Sequence, residues 1–388
     1  MSAQIQLPAQ IRIGGGAVHE LPALLRQLGS ARPLLVTDPG MVELGHARLV
    51  ESILADAGLP VSSFADTEQE PGSASIERGV DAFAREPFDG LVALGGGSAI
   101  DSAKAIGVLA YHGGRMRDYA VPNDVESSGF PLIAIPTTAG TGSEATRFTV
   151  ITDSDTQEKM LCRGSAFLPA AAIIDYEFTL TAPARLTADT GIDALTHAIE
   201  AYVSRRANPF TDDLALAAMS HLAGNLERAC STPNDRAARE AMMLGASQAG
   251  IAFSNASVCL VHGMSRPVGA LFHVPHGLSN AMLLPAITRF SAIAAPERYA
   301  RCCQAMGWSA PDTPVTEAIA AMVSGLEALN RRLEVPGPRA FGIAREEWFA
   351  HMEKMAAQAE ASGSPANNPR IPSRAEMVAL YTEVWGNA

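Results

Sequence analysis

The strand signals of this chain stop at Pro183. Ahead of it, short β-branched or Leu-rich runs alternate with stretches of helical period. Beyond it, long Ala/Leu/Met-rich helical patterns take over, as at residues 211–222 and 314–333. Strands separated by helices cannot close as hairpins; they align in parallel, with the helices as crossovers on the sheet's faces. At 388 residues the chain is also long for one hydrophobic core. The expected fold is an α/β domain built on a parallel sheet over residues 1–182 and an all-α domain over residues 183–388. Ser362 to Pro372, rich in Ser, Gly, Pro and Asn, reads as a loop before a last short helix ending near Trp385.

Three runs locate strands and the loops that follow them. Pro33-Leu34-Leu35-Val36-Thr37-Asp38 is one, Asp89-Gly90-Leu91-Val92-Ala93-Leu94 is the second, closed by Gly95-Gly96-Gly97, and Leu132-Ile133-Ala134-Ile135-Pro136 is the third. Gly95-Gly96-Gly97-Ser98 opens a helix over residues 99–110, where free backbone N–H groups and the helix dipole stabilise a phosphate. The Rossmann spacing is not met, and tight packing is the other explanation of these glycines. A second loop, Pro136-Thr137-Thr138-Ala139-Gly140-Thr141-Gly142-Ser143-Glu144, is dense in hydroxyls suited to ribose and pyrophosphate. Two such loops suit a dinucleotide. Gly14-Gly15-Gly16 also follows a strand-like run, but a turn into a helix over residues 17–28 accounts for it.

The chemistry of the second half centres on Gly191-Ile192-Asp193-Ala194-Leu195-Thr196-His197-Ala198-Ile199-Glu200. On a helix Asp193 and His197 project from one face, with Glu200 one turn on, while the surrounding apolar residues leave no broad side for solvent. Alone, the pair reads equally well as a hydrogen-bonded core Asp and His. Two more histidines, His262 and His276, stand in a segment rich in Gly and Pro. Together the two segments supply one carboxylate and three imidazoles, a set that fits ferrous iron or zinc.

Composition narrows the class. Hydrophobic residues make up 47% and charged residues 18%, and no apolar run approaches the roughly 20 residues that cross a bilayer. Membrane insertion is not expected. Met1-Ser2-Ala3-Gln4-Ile5-Gln6 lacks a basic region leading into an apolar stretch, so no secretory signal is read. Five cysteines without a C-x-x-C spacing indicate free thiols in a reducing compartment, and the expected location is cytoplasmic. A net charge of −12 with no local basic patch disfavours nucleic acid.

With these motifs in place, the chain resembles the iron-dependent (group III) alcohol dehydrogenases, the family of lactaldehyde reductase and propanediol oxidoreductase. The resemblance runs over nearly the whole length. It is carried by Gly95-Gly96-Gly97-Ser98-Ala99-Ile100-Asp101-Ser102-Ala103-Lys104, by the loop from Ile135 to Glu144, by the helix from Asp193 continuing to Asn208-Pro209-Phe210-Thr211-Asp212, and by Val261-His262-Gly263-Met264 with Pro275-His276-Gly277. It implies a dinucleotide-binding domain before Pro183, a metal-binding domain after it, an architecture like dehydroquinate synthase, and a cofactor in the cleft between the domains. It assigns Asp193, His197, His262 and His276 as ligands to one divalent ion, Fe2+ ahead of Zn2+. It implies NAD(P)-linked interconversion of an alcohol with an aldehyde or ketone. Cofactor contacts are expected from Gly95, Gly96, Gly97, Ser98, Asp101, Thr137, Thr138, Thr141 and Ser143, and Lys159 matches the family lysine near the nicotinamide, although a solvated surface lysine is the commoner case. Asp38, just past its strand, can accept hydrogen bonds from the adenine ribose and repel a 2′-phosphate, favouring NAD over NADP; starting the Asp38-Pro39-Gly40 turn is its other reading. Expected partners are a small alcohol or aldehyde and further copies of the chain, as a homodimer or larger homo-oligomer.

Two positions depart from the family. Arg266 stands four residues after His262, where most members carry a second histidine, and His273 stands three residues before His276. The loop Glu70-Pro71-Gly72-Ser73 also lacks the Asn-Pro of many relatives. A guanidinium does not deprotonate at working pH, so Arg266 is no proton relay; His273 or a metal-bound water takes that role. Arg266 itself reads in two ways, as a binder of an acidic group on the substrate aldehyde or as the partner of an acidic residue or the cofactor pyrophosphate. The rival enzyme class, a metal- and NAD-using cyclising lyase of the dehydroquinate synthase type, needs several Lys and Arg around a substrate phosphate, and the metal segments offer only Arg266. A metal- or nucleotide-binding regulatory module is the non-enzymatic alternative, and it gives no reason for both motifs to occur together.

Overall fold

The computed structural model describes residues 2–156 and 158–386. Residues Gln4–Ala182 form one compact unit and the chain from Pro183 onward forms another.

The first unit holds strands β1 (Gln10–Ile13), β2 (Pro33–Val36), β3 (Ser62–Phe64), β4 (Gly90–Gly95), β5 (Leu132–Pro136), β6 (Phe148–Thr152), β7 (Lys159–Arg163) and β8 (Ala171–Ile174). Helices α1 (Leu21–Gln27), α2 (Pro39–Glu43), α3 (His46–Asp56), α4 (Ser73–Ala84) and α5 (Gly97–His112) connect them. Six strands make one sheet in the order β1-β8-β5-β4-β2-β3, every neighbouring pair parallel. Alternation along the strands feeds two cores. Leu34, Val36, Leu91 and Ala93 pack with Ile76, Phe83, Ile100 and Ile106 of α4 and α5, while Leu35, Val92 and Leu94 pack with Leu24, Leu25, Val50 and Leu54 of α1 and α3. Strands covered on both faces read as the near-continuous apolar runs seen in the sequence.

From β2 the chain crosses to β3 on one side, and from β4 to β5 on the other. The carboxyl ends of β2 and β4 thus flank the switch point of the sheet, where open α/β folds bind ligands. β6 and β7 form a separate antiparallel pair that period reading did not resolve. It is short and carries Thr, Lys, Cys and Arg among its apolar residues. The Gly14-Gly15-Gly16 turn leads into a 3-10 turn, Ala17–Glu20, and then α1, so the helix expected over residues 17–28 is split in two.

The second unit contains helices α6 (Ala184–Val203), α7 (Pro209–Ser231), α8 (Arg236–Ala256), α9 (Leu260–Phe272), α10 (His276–Ala292), α11 (Pro296–Ala305), α12 (Val315–Arg332), α13 (Pro338–Phe341), α14 (Arg345–Ala361) and α15 (Arg374–Gly386), with no strand among the described residues. Nearly all of α6 from Thr187 to Val203 is buried, which explains its weak amphipathic signal: helices surround it. Among the described residues, no single helix is long and apolar enough to cross a membrane.

One buried cation organises the cofactor side of the first unit. Lys104 on α5 is buried, and its Nζ donates to Ser143 Oγ at 3.0 Å, Thr146 O at 3.1 Å and Phe148 O at 2.8 Å, with Asp101 Oδ1 at 3.8 Å. Burial lowers its pKa to about 8, against the pull of Asp101 and Glu144. Replacing it by Met strands these acceptors and leaves Asp101 without its cation. We expect Lys104→Met to cost about 3–5 kcal/mol, the range for breaking a buried pair. Urea denaturation followed by circular dichroism checks it; an unchanged midpoint would contradict the anchoring role.

Candidate active site

The glycine loop and the Thr-rich loop meet within the first unit. Gly95 has φ 150°, a conformation side chains rarely adopt, and a Cβ there would fall 2.7 Å from Ala99 Cβ and 3.0 Å from Asp38 Oδ2. Asp38 therefore lies against the glycine loop, its Oδ1 accepting from Met41 N at 3.1 Å to cap α2. Both readings of Asp38 are accommodated at once: one oxygen starts the turn and the other faces the loop. A Cβ on Gly96 would meet Thr138 at 3.6 Å, and one on Gly97 would meet Thr141 Cγ2 at 2.9 Å. Helix α5 starts with no side-chain cap from Gly96, which leaves its first-turn N–H groups for a ligand. Thr137 is buried, its N–H bonded to Gly95 O at 3.0 Å, so it splices the two loops.

Not every expected contact faces outward. Asp101 accepts from Ser143 Oγ at 2.5 Å and Val150 N at 2.9 Å, so both residues brace the Thr-rich loop from within. Ser98 Oγ donates to Gln69 O, and the next residue, Glu70, pairs with Lys159 Nζ at 2.9 Å. Lys159 thus stands beside the glycine loop through one short segment, partly exposed and ion-paired.

The second cluster lies in the second unit. Asp193, His197 and Glu200 are buried on α6, His262 is buried in the first turn of α9, and His276 is half-exposed as the first residue of α10. Gly277 permits this approach, because a Cβ there would sit 2.2 Å from Asp189 O on α6, one turn before Asp193. Nε2 of His262, His276 and His197 stand 3.3, 3.7 and 3.9 Å from Asp193 Oδ1. Donors bound at about 2.1 Å in a tetrahedral set are about 3.4 Å apart, and the three distances to Asp193 are of that order. The donor atoms of Asp193, His262 and His276 all lie within 4.8 Å of one another. His197 stacks between Phe253 and His262, with ring centroids at 4.2 and 4.4 Å, which fixes its ring plane.

The cluster attracts positive charge. Burial alone would raise the Asp193 carboxyl, yet the imidazoles of His197, His276 and His262 hold it well below the usual carboxylate range. Burial likewise works against His262, but its bonds to Asp193 and Glu200 raise its pKa to about 8. Asn280, one turn after His276, points its Nδ2 at the same centre, 2.7 Å from Asp193 Oδ1, 3.2 Å from His262 Nε2 and 3.4 Å from His276 Nε2. Its Oδ1 is buried with no hydrogen-bond partner in the described residues. An amide N–H group turned toward a carboxylate and two ring nitrogens marks where a cation belongs.

Arg266 lies one turn past His262 on α9 and donates to Ser364 Oγ at 3.1 Å, with the charge of Glu200 acting on it. His273 sits at the carboxyl cap of α9 with φ 55°, exposed, three residues before His276. Asn280 and the bonding of Glu200 were not anticipated from the sequence. The i,i+4 spacing of His276 and Asn280 on one helix was the available signal.

The comparisons with known proteins agree along the whole chain. Residues 8–176 match iron-containing alcohol dehydrogenase, and residues 187–385 match the carboxyl-terminal part of the Fe-containing alcohol dehydrogenase family. The chain belongs to the iron-containing alcohol dehydrogenase family, and it is an oxidoreductase acting on CH–OH groups. It is 39% identical to an NAD-dependent methanol dehydrogenase of Bacillus methanolicus over 94% of both chains, and 35% identical to lactaldehyde reductase of Escherichia coli over 96% of this chain and 97% of that one. A crystal structure of 1,3-propanediol oxidoreductase superposes with a TM-score of 0.94 at 33% identity, over 99% of this chain and all of the other.

Removing one donor should empty the cluster without unfolding the helices around it. Asp193→Ala and His276→Ala are each expected to retain helical circular dichroism and to lose stoichiometric divalent metal by elemental analysis. Full occupancy in either variant would show that the ion is held elsewhere.

Proposed function

We propose that this protein interconverts a short, neutral alcohol with its aldehyde, using NAD(H) and one divalent ion, Fe2+ foremost and Zn2+ as the alternative. The observation that carries the reading is the convergence of Asp193, His262 and His276, whose donor atoms lie within 4.8 Å of one another, with His197 Nε2 3.9 Å from Asp193 Oδ1. In this reading residues 1–182 serve the cofactor and residues 183–388 the metal. A bound divalent ion would supply Lewis-acid polarisation of the substrate oxygen, and the nicotinamide would accept or supply hydride.

The protein's own groups do the rest. Asp193, His197, His262 and His276 would hold the ion beside the substrate. The first turn of α5 and the hydroxyls of Thr138 and Thr141 receive the pyrophosphate and ribose, and Asp38 accepts from the adenine ribose. Lys159 belongs to the nicotinamide end. His273, exposed beside a ligand, exchanges the proton that the alcohol loses or gains with solvent. In this reading Arg266 is held by Ser364 Oγ, and the substrate need not bring an anion. That favours neutral substrates like those in the names of the relatives: methanol and lactaldehyde. The cytoplasmic setting is part of the proposal, supported by five cysteines with no disulfide among them. So is a homo-oligomeric assembly, with the exposed Ile13 of edge strand β1 as one place for a second copy.

The test is turnover by protein loaded anaerobically with Fe2+ or Zn2+. We expect NADH to be consumed in step with a short neutral aldehyde, with kcat/KM for NADH at least about tenfold above that for NADPH, a difference of about 1.4 kcal/mol. A matched anionic aldehyde should gain no advantage. NADH recycled without net loss would instead point to the cyclising lyase, and no turnover of any aldehyde or alcohol would leave the binding module.

A further inference from the structure

Glu200 is a buried carboxylate that the donor set does not use. It lies on α6, seven residues after Asp193, and its side chain is only 3% exposed. Three donors converge on it. Val261 N donates to Oε1 at 2.6 Å, Cys259 N donates to Oε2 at 2.8 Å, and His262 Nδ1 lies 2.7 Å from the same Oε2. Helix α9 has no side-chain cap from its own N-cap residue, Cys259, so Glu200 caps it from a neighbouring helix. Both of its oxygens thus accept a backbone N–H at the amino end of α9.

With each oxygen already accepting a backbone N–H, Glu200 meets His262 as an acceptor, so His262 carries a proton on Nδ1. In the neutral ring that binds a metal, Nε2 then carries the lone pair, and Nε2 is the atom 3.3 Å from Asp193 Oδ1. We propose that Glu200 is the positioning residue of the metal centre: it locks His262 in the Nδ1–H tautomer, fixes the plane of its ring, and strengthens it as a ligand. The inference rests on the metal-dependent reading above. A carboxylate behind a ligating imidazole raises its donor strength, and losing such a partner typically weakens metal affinity about 10–100-fold. Glutamine cannot replace it. With one oxygen turned to amide, either Val261 N–H or the pair of Cys259 N–H and His262 faces an NH2 group.

Two measurements test it. In competition titrations with Zn2+ alone, Glu200→Gln should bind about 10–100-fold more weakly than wild type. The same change made in His262→Ala should add little further loss, because Glu200 acts through that imidazole. Affinity equal to wild type, or a full additional loss in the double variant, would overturn the proposal. The second measurement needs no variant: 15N spectra of histidine-labelled, Zn2+-loaded wild type should show His262 as the Nδ1–H tautomer, and an Nε2–H assignment would overturn it. Wild type that binds no Zn2+ at Asp193 would defeat the metal-dependent reading itself, whereas Glu200→Gln matching a metal-binding wild type would defeat this inference alone.

Discussion

The second unit is built around negative charge that has been taken out of water. Asp193 and Glu200 are both buried on α6, and a helical core of Leu, Ile, Ala and Met offers carboxylates nothing of its own. Such groups persist only when paired and hydrogen-bonded. Glu200 meets the condition with two backbone N–H groups and His262. Asp193 meets it only by drawing three imidazoles and the Asn280 amide to within 2.7–3.9 Å. A divalent ion is the partner this geometry is shaped for. The packing of α9 and α10 onto α6 follows, since each brings its ligand at its first turn.

The first unit solves a parallel problem with the opposite sign. Its buried charge is the ammonium of Lys104, satisfied by Ser143, Thr146 and Phe148. In doing so it ties the helix after the glycine loop to the Thr-rich loop. Asp101 completes the brace from the same helix. Both loops are thereby set at the carboxyl ends of β4 and β5, next to the sheet's switch point. One unit holds two loops around a buried cation, and the other holds a cluster of imidazoles around a buried anion.

The sequence made the large divisions legible because they rest on period and chain order. Apolar runs of strand length marked β2, β4 and β5, and the loss of strand signals at Pro183 marked the all-helical half. The cluster was legible because an Asp and a His four apart in an apolar helix have few uses. Less visible were roles that depend on contacts between distant segments. Asp101 and Ser143 carry groups fit for a ribose, but a partner 42 residues away uses them internally. Arg266 looked like a cation in want of an anion, and the group it donates to, Ser364 Oγ, lies 98 residues on. Asn280 is an ordinary helix residue until His276 and Asp193 are placed around it.

The most direct test of the central claim is to locate the ion. Crystals of the Zn2+-loaded protein, with anomalous data collected on both sides of the zinc edge, are predicted to show one ion per chain. It should be bound by Asp193 Oδ1 and by Nε2 of His197, His262 and His276 at about 2.0–2.2 Å, with Asn280 moved off the centre. An ion bound elsewhere, or a cluster that stays metal-free while Asn280 keeps its contacts with Asp193, would contradict the account.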